Sequence, residues 1–113
     1  MIGLVLAIGM MALQQEDMPD LSPQTMQALG EWEQCMSSNV SRVSQSSDSA
    51  EAAADGLLEY CRDQQRAVRA ALLLEFNRRM GRDGEDTANS LETVLVMRAR
   101  QNILSQIAAA RQQ

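Results

Sequence analysis

The chain predicts an all-α fold: a three-helix antiparallel bundle with a disulfide-stapled first hairpin, preceded by an N-terminal signal-like segment. Three observations lead there. Apolar residues recur at three- and four-residue intervals from Ser22 onward, and no stretch alternates β-branched and polar residues for the length of a strand. Cys35 and Cys61 lie equally far in sequence from a polar turn centred on residue 48.

The first element is the run Ile2 to Leu13, twelve residues without a charge, followed by the acids Glu16, Asp17 and Asp20. It has the length of a signal-peptide h-region and falls short of the roughly 20 apolar residues that a membrane-spanning helix needs. The expected organisation is a signal peptide or apolar segment over 1–14, an acidic linker over 15–22 and a helical domain over 23–113. An uncleaved membrane anchor and a buried helix of the domain are the other two readings of that run.

Helix 1 is expected from about Pro23 to Ser44, with Ser22 as N-cap and Pro23 at the first helical position, where a missing N–H costs nothing. Its apolar stripe is Leu29, Trp32, Met36, Val40 and Val43, flanked by Met26 and Cys35. The polar stretch Gln45 to Asp48 breaks the pattern, and Asp48 with Glu51 has the spacing of a capping box. Helix 2 is expected from about Ser49 to Met80, with Ala50, Ala53, Ala54, Leu57, Cys61, Val68, Leu72 and Phe76 inward. Small Gly56 falls opposite Val40 and would allow close approach, and Trp32, Tyr60 and Phe76 read as core anchors.

In an antiparallel hairpin, positions equidistant from the turn face each other, so Cys35 and Cys61 are expected to form a disulfide. Their spacing fits neither a C-x-x-C dithiol nor a four-ligand metal site. Two cysteines in a small chain agree with export to an oxidising compartment.

The run Gly81 to Asp86 ends helix 2, and Asp86 or Thr87 could cap helix 3, which extends to about Ala110. Helix 3 carries no single apolar stripe: Leu91, Val94 and Leu95 mark one side, and Val96, Ile103, Leu104 and Ile107 another. Those last four residues are therefore a candidate partner surface, to which a protein or a second copy of the chain could bind.

Chemistry-bearing residues are few. The chain has no histidine, which removes the usual triads and mixed zinc sites, and its net charge of −5 argues against nucleic acid as a partner. The charge is uneven, with nine acids and one arginine in residues 1–59, against six acids and nine arginines in residues 60–113. Arg78, Arg79 and Arg82 could contact an anion, although Asp83, Glu85 and Asp86 in the same loop tend to neutralise them. Read as a calcium loop from Asp83, the segment fails because Ala88 stands where glycine is required and Val94 where glutamate is required. Eight scattered methionines read as core filling and not as copper ligands, and no carboxylate pair suggests a catalytic dyad. No metal, cofactor or catalytic residue is expected.

The segments Trp32-Glu-Gln-Cys35, Asp48-Ser-Ala-Glu51, Ala54-Asp55 and Tyr60-Cys61 resemble a set of small, uncharacterised exported helical proteins of high-GC Gram-negative bacteria, over about residues 30–70. The resemblance implies a helical hairpin with a cysteine pair and carries over no activity or site. The expected function is that of a periplasmic or secreted protein with a non-enzymatic interaction or structural role in the envelope. A membrane-anchored accessory subunit that retains the N-terminal segment, with membrane contact only in that case, is the first alternative. A small-molecule or anion-binding protein is the second.

Overall fold

The computed structural model describes residues 20–112, so the apolar segment 1–14 and most of the acidic linker lie outside the described residues. Among the described residues every element is helical, in the order α1 (Pro23–Ser37), α2 (Val40–Ser44), α3 (Ala50–Tyr60), α4 (Arg62–Met80) and α5 (Gly84–Arg111). They form three rods, α1 with α2, α3 with α4, and α5, arranged as the expected antiparallel bundle.

The first rod begins as the sequence dictates, with the Ser22 side chain accepting a hydrogen bond from the Thr25 N–H at 3.3 Å and proline following it. It does not run unbroken to Ser44. Ser38 Oγ donates to the Gln34 carbonyl at 2.5 Å, and Asn39 Nδ2 donates to the Cys35 carbonyl at 2.7 Å. The Gln34 carbonyl keeps its helical bond from the Ser38 N–H, but the Asn39 side chain takes the Cys35 carbonyl while the Asn39 N–H turns to the Met36 carbonyl, and α1 ends at Ser37.

The turn over residues 45–49 sits where the cysteine arithmetic puts it. Its cap differs: Ser49, and not Asp48, accepts from the Ala52 N–H at 3.1 Å, so no Asp48–Glu51 box forms. The Asp48 carbonyl accepts instead from Arg111 at 2.8 Å, and the same guanidinium donates to the carbonyls of Ser44 and Ser46. The end of α5 thereby closes the far end of the first hairpin.

Cys35 and Cys61 form the disulfide, with their Cα atoms 5.9 Å apart. Cys61 stands at a single-residue irregularity between α3 and α4, although its N–H still reaches the Leu57 carbonyl and its carbonyl still receives the Gln65 N–H. The axis of the second rod continues through the bridge. The core is one contiguous cluster in which Leu29, Trp32, Met36, Leu57, Val68, Leu72 and Phe76 are all buried. Helical spacing placed each of them there.

Two inward expectations fail for the same reason, a rotation of about 100° between neighbouring helical residues. Tyr60, beside the buried Cys61, is 62% exposed and lies under the Arg42 guanidinium, 4.7 Å from its ring centre. Gly56, beside the buried Leu57, is exposed, and a Cβ there would meet nothing within 4 Å.

The close approach occurs at the other turn. Gly81 has φ +65°, a backbone region that favours glycine, and a 3-10 turn over Gly81–Asp83 leads directly into α5. Asp86 and Thr87 thus lie inside the first turn of α5 and do not cap it. A Cβ on Gly84 would come within 2.3 Å of the Phe76 carbonyl oxygen. Backbone cannot give way as a flexible side chain can, so Gly84→Ala is expected to cost about 1–3 kcal/mol by pushing α5 off α4. An unchanged urea midpoint for this variant would mean that the two helix ends are not in contact.

Candidate functional site

α5 packs along α4, α3 and α2 and touches α1 only sparingly. Its buried side is Ala88, Leu95, Ala99, Ile103 and Ile107, a single continuous stripe in which two alanines supply positions that a search for large apolar residues passes over. Ile103 and Ile107 are 2% and 0% exposed, so they are core residues and cannot form the partner surface expected of them. Val96 and Leu104 are half-buried against the same core. The physical reason is that α5 meets two rods at once, which widens its apolar side.

The three arginines do not assemble into an anion site. Arg79 is engaged by Glu75 at 2.5 Å and by the Asp20 carbonyl at 2.6 Å, and it stacks over Phe76. Arg78 and Arg82 are exposed and make no ion pair with a described residue. Across the bundle, Arg69 pairs with Glu92 and Arg100 with Asp55, each at 2.9 Å; these are rod-to-rod ties at the surface.

Two buried carboxylates are the polar features that sequence reasoning missed. Both occupy inward helical positions: Glu33 lies four residues after Leu29 and three before Met36, and Glu75 lies three after Leu72. Their surroundings are opposite. Glu75, 4% exposed, accepts hydrogen bonds from the Thr25 hydroxyl at 2.6 Å and the Ser22 N–H at 3.0 Å, with Arg79 beside it. Burial pushes this carboxyl up, but those hydrogen bonds and the Arg79 charge together outweigh it and hold the group below its ordinary value. Glu75 locks the start of α1 onto the end of α4.

Glu33 is 9% exposed and has no such partners. Its Oε2 is buried without a hydrogen-bond partner among the described residues. It lines a narrow cleft between the first rod and α5, with Met36, Val40, Ala99 and Ile103 as apolar walls and Ser37, Asn102 and Gln106 also lining it. Burial alone pushes its carboxyl up to about 7. A second groove, lined by Gln27, Gly30, Glu31, Gln34 and Gln64, lies between α1 and α4 and is polar and open.

Comparison with protein-family models, curated proteins and solved structures finds no match to this chain. Among the described residues no group of three or more His, Cys, Asp or Glu side chains is placed to hold a metal ion, and no helix is long and apolar enough to cross a membrane.

Proposed function

We propose that this chain is an exported, non-enzymatic interaction protein of the cell envelope that works in an oxidising compartment and binds a protein partner through the outer face of α4. The observation that carries the contact surface is Leu74, which is 61% exposed on a helix whose other side supplies Val68, Leu72 and Phe76 to the core. Ala67 and Ala70, also exposed, share its face at helical spacing, with Arg66 and Arg78 beside them. Small residues around one protruding leucine suit the approach of a second helix, and the arginines suit an acidic one. The Cys35–Cys61 bond supports the oxidising compartment, since reducing cytosol does not favour structural disulfides.

The test is chemical crosslinking in intact envelope followed by mass spectrometry of the recovered complex. Leu74→Glu is expected to abolish the crosslinked species while changing stability by less than about 0.5 kcal/mol, as for surface positions generally. An unaltered crosslink pattern in that variant would remove α4 as the contact face. Mature chain recovered only from cytosol, with two free thiols, would remove the export reading.

A further inference from the structure

We infer that the occupant of the outer face of α4 is a second copy of this chain, bound antiparallel along the second rod. The inference rests on the proposed use of that face as the contact surface and names its partner. Its first ground is that the face continues beyond α4. The Cys61 N–H reaches the Leu57 carbonyl and the Gln65 N–H reaches the Cys61 carbonyl, so helical spacing carries over from α3 to α4. Ala52, Gly56, Asp63, Ala67, Ala70 and Leu74 then follow one another at intervals of three, four or seven residues, and all six are exposed. One side of the whole rod is left uncovered by the described residues.

Two residues on that side have no account within a single chain. Leu74 is 61% exposed. Gly56 lies inside α3 without a positive φ and with nothing within 4 Å of the Cβ it lacks, although glycine weakens a helix interior relative to alanine. A protruding leucine and a hollow on one face are complementary, and a second copy supplies each with the other. Residue 65 is midway between them in sequence, so an antiparallel pair centred there seats Leu74 of each copy on Gly56 of the other. Such a contact is isologous and closes at two copies. Ala52, Ala67 and Ala70 let the two axes come close.

Charge fixes the direction. Residues 51–63 carry four acids and one arginine, whereas residues 66–79 carry four arginines and one glutamate, the buried Glu75. Antiparallel pairing lays the acidic half of each rod on the basic half of the other. Parallel pairing would oppose like charges and set Leu74 against Leu74. In the antiparallel register Arg66 comes within one turn of Asp63 of the other copy. Its contact with Asp63 of its own chain is loose, at 3.8 Å, and leaves it available.

The test is sedimentation equilibrium of the purified full chain, with the Cys35–Cys61 bond intact, from low micromolar to near-millimolar concentration. A reversible monomer–dimer equilibrium is expected, with affinity falling as salt rises from about 0.05 M to about 0.5 M. Leu74→Glu and Gly56→Leu should each weaken it by roughly thirtyfold or more. Neither should unfold the chain, and the monomer of Gly56→Leu should melt no lower than wild type, because leucine favours a helix over glycine and meets open space there. Arg66→Glu should weaken the dimer, and adding Asp63→Arg should restore it.

A dimer indifferent to both Leu74→Glu and Gly56→Leu, or one that tightens with salt, would overturn the inference. So would a chain that stays monomeric throughout the range. The contact face itself survives that last result when Leu74→Glu still abolishes the crosslinks in envelope, and its occupant is then a different protein.

Discussion

Replacing Cys35 and Cys61 together by alanine is expected to lower stability by roughly 3 kcal/mol, through the loop that the bond closes in the unfolded chain. For a domain of this size that corresponds to a fall in Tm of roughly 12–24 °C. The effect is large because of where the bond sits. α1 packs on α4 and has little contact with α5, so its attachment depends on that one interface and on two ties, the Glu75 network at its start and the disulfide near its end. Cutting the bond leaves the second half of α1, and the short α2 after it, held by side-chain packing and by the Arg111 contacts to the turn. The unfolded chain also expands when the crosslink goes, so the urea m-value should rise. The measurement is urea denaturation of the wild type and the double variant under non-reducing conditions. Coincident curves would show that the bond does not staple the hairpin.

A second large effect concerns pH. The Glu33 carboxyl is raised from its ordinary 4.5 to about 7 in the folded chain, by burial. A raised acid binds its proton more tightly folded than unfolded, so its contribution is fully favourable below about 4.5, is lost as pH rises from 4.5 to about 7, and stays lost above that. The difference amounts to about 3 kcal/mol. Glu75 acts in the opposite sense: its carboxyl is held low, so its contribution is present above its ordinary value and is lost as pH falls through the lowered one. Wild-type stability should therefore be greatest in mildly acidic solution and decline toward about pH 8. Glu33→Gln should remove the decline on the alkaline side and keep the loss in acid, because Glu75 remains. Urea midpoints measured from about pH 4 to about pH 8 decide this. A wild-type profile that stays level from about pH 5 upward would mean that the Glu33 carboxylate is solvated in the native chain.

Much of the fold was legible because helical periodicity and turn chemistry are local. The stripe Ala53, Ala54, Leu57, Cys61, Val68, Leu72 and Phe76 is buried as its spacing requires, and the midpoint of the two cysteines falls in the turn between α2 and α3. Ser22 and Pro23 start α1 as such a pair should. Asn39 was less legible, since asparagine is tolerated inside a helix and helps to end one only when its side chain takes a carbonyl of the last turn.

The candidate site was scarcely legible at all. The apolar residues of α5 do fall on two sides in sequence, but the structure joins them into one buried side by using Ala88 and Ala99, so Ile103 and Ile107 went to the core and not to a partner. Glu33 stood at an inward position from the start, yet a glutamate there reads as a break in a stripe.

By itself the sequence determined the helical class, the place of the first turn, the pairing of Cys35 with Cys61 and most of the core. All of these follow from which residues lie on one side of one helix. Only the tertiary structure decided the fate of the two inward glutamates. Glu75 meets Ser22, Thr25 and Arg79 and becomes a lock between α1 and α4. Glu33 meets Met36, Val40 and Ile103 and keeps an acceptor with no partner among the described residues. The side chains are chemically identical, and what separates them is the set of groups that other helices bring within hydrogen-bonding distance, which no single helix encodes.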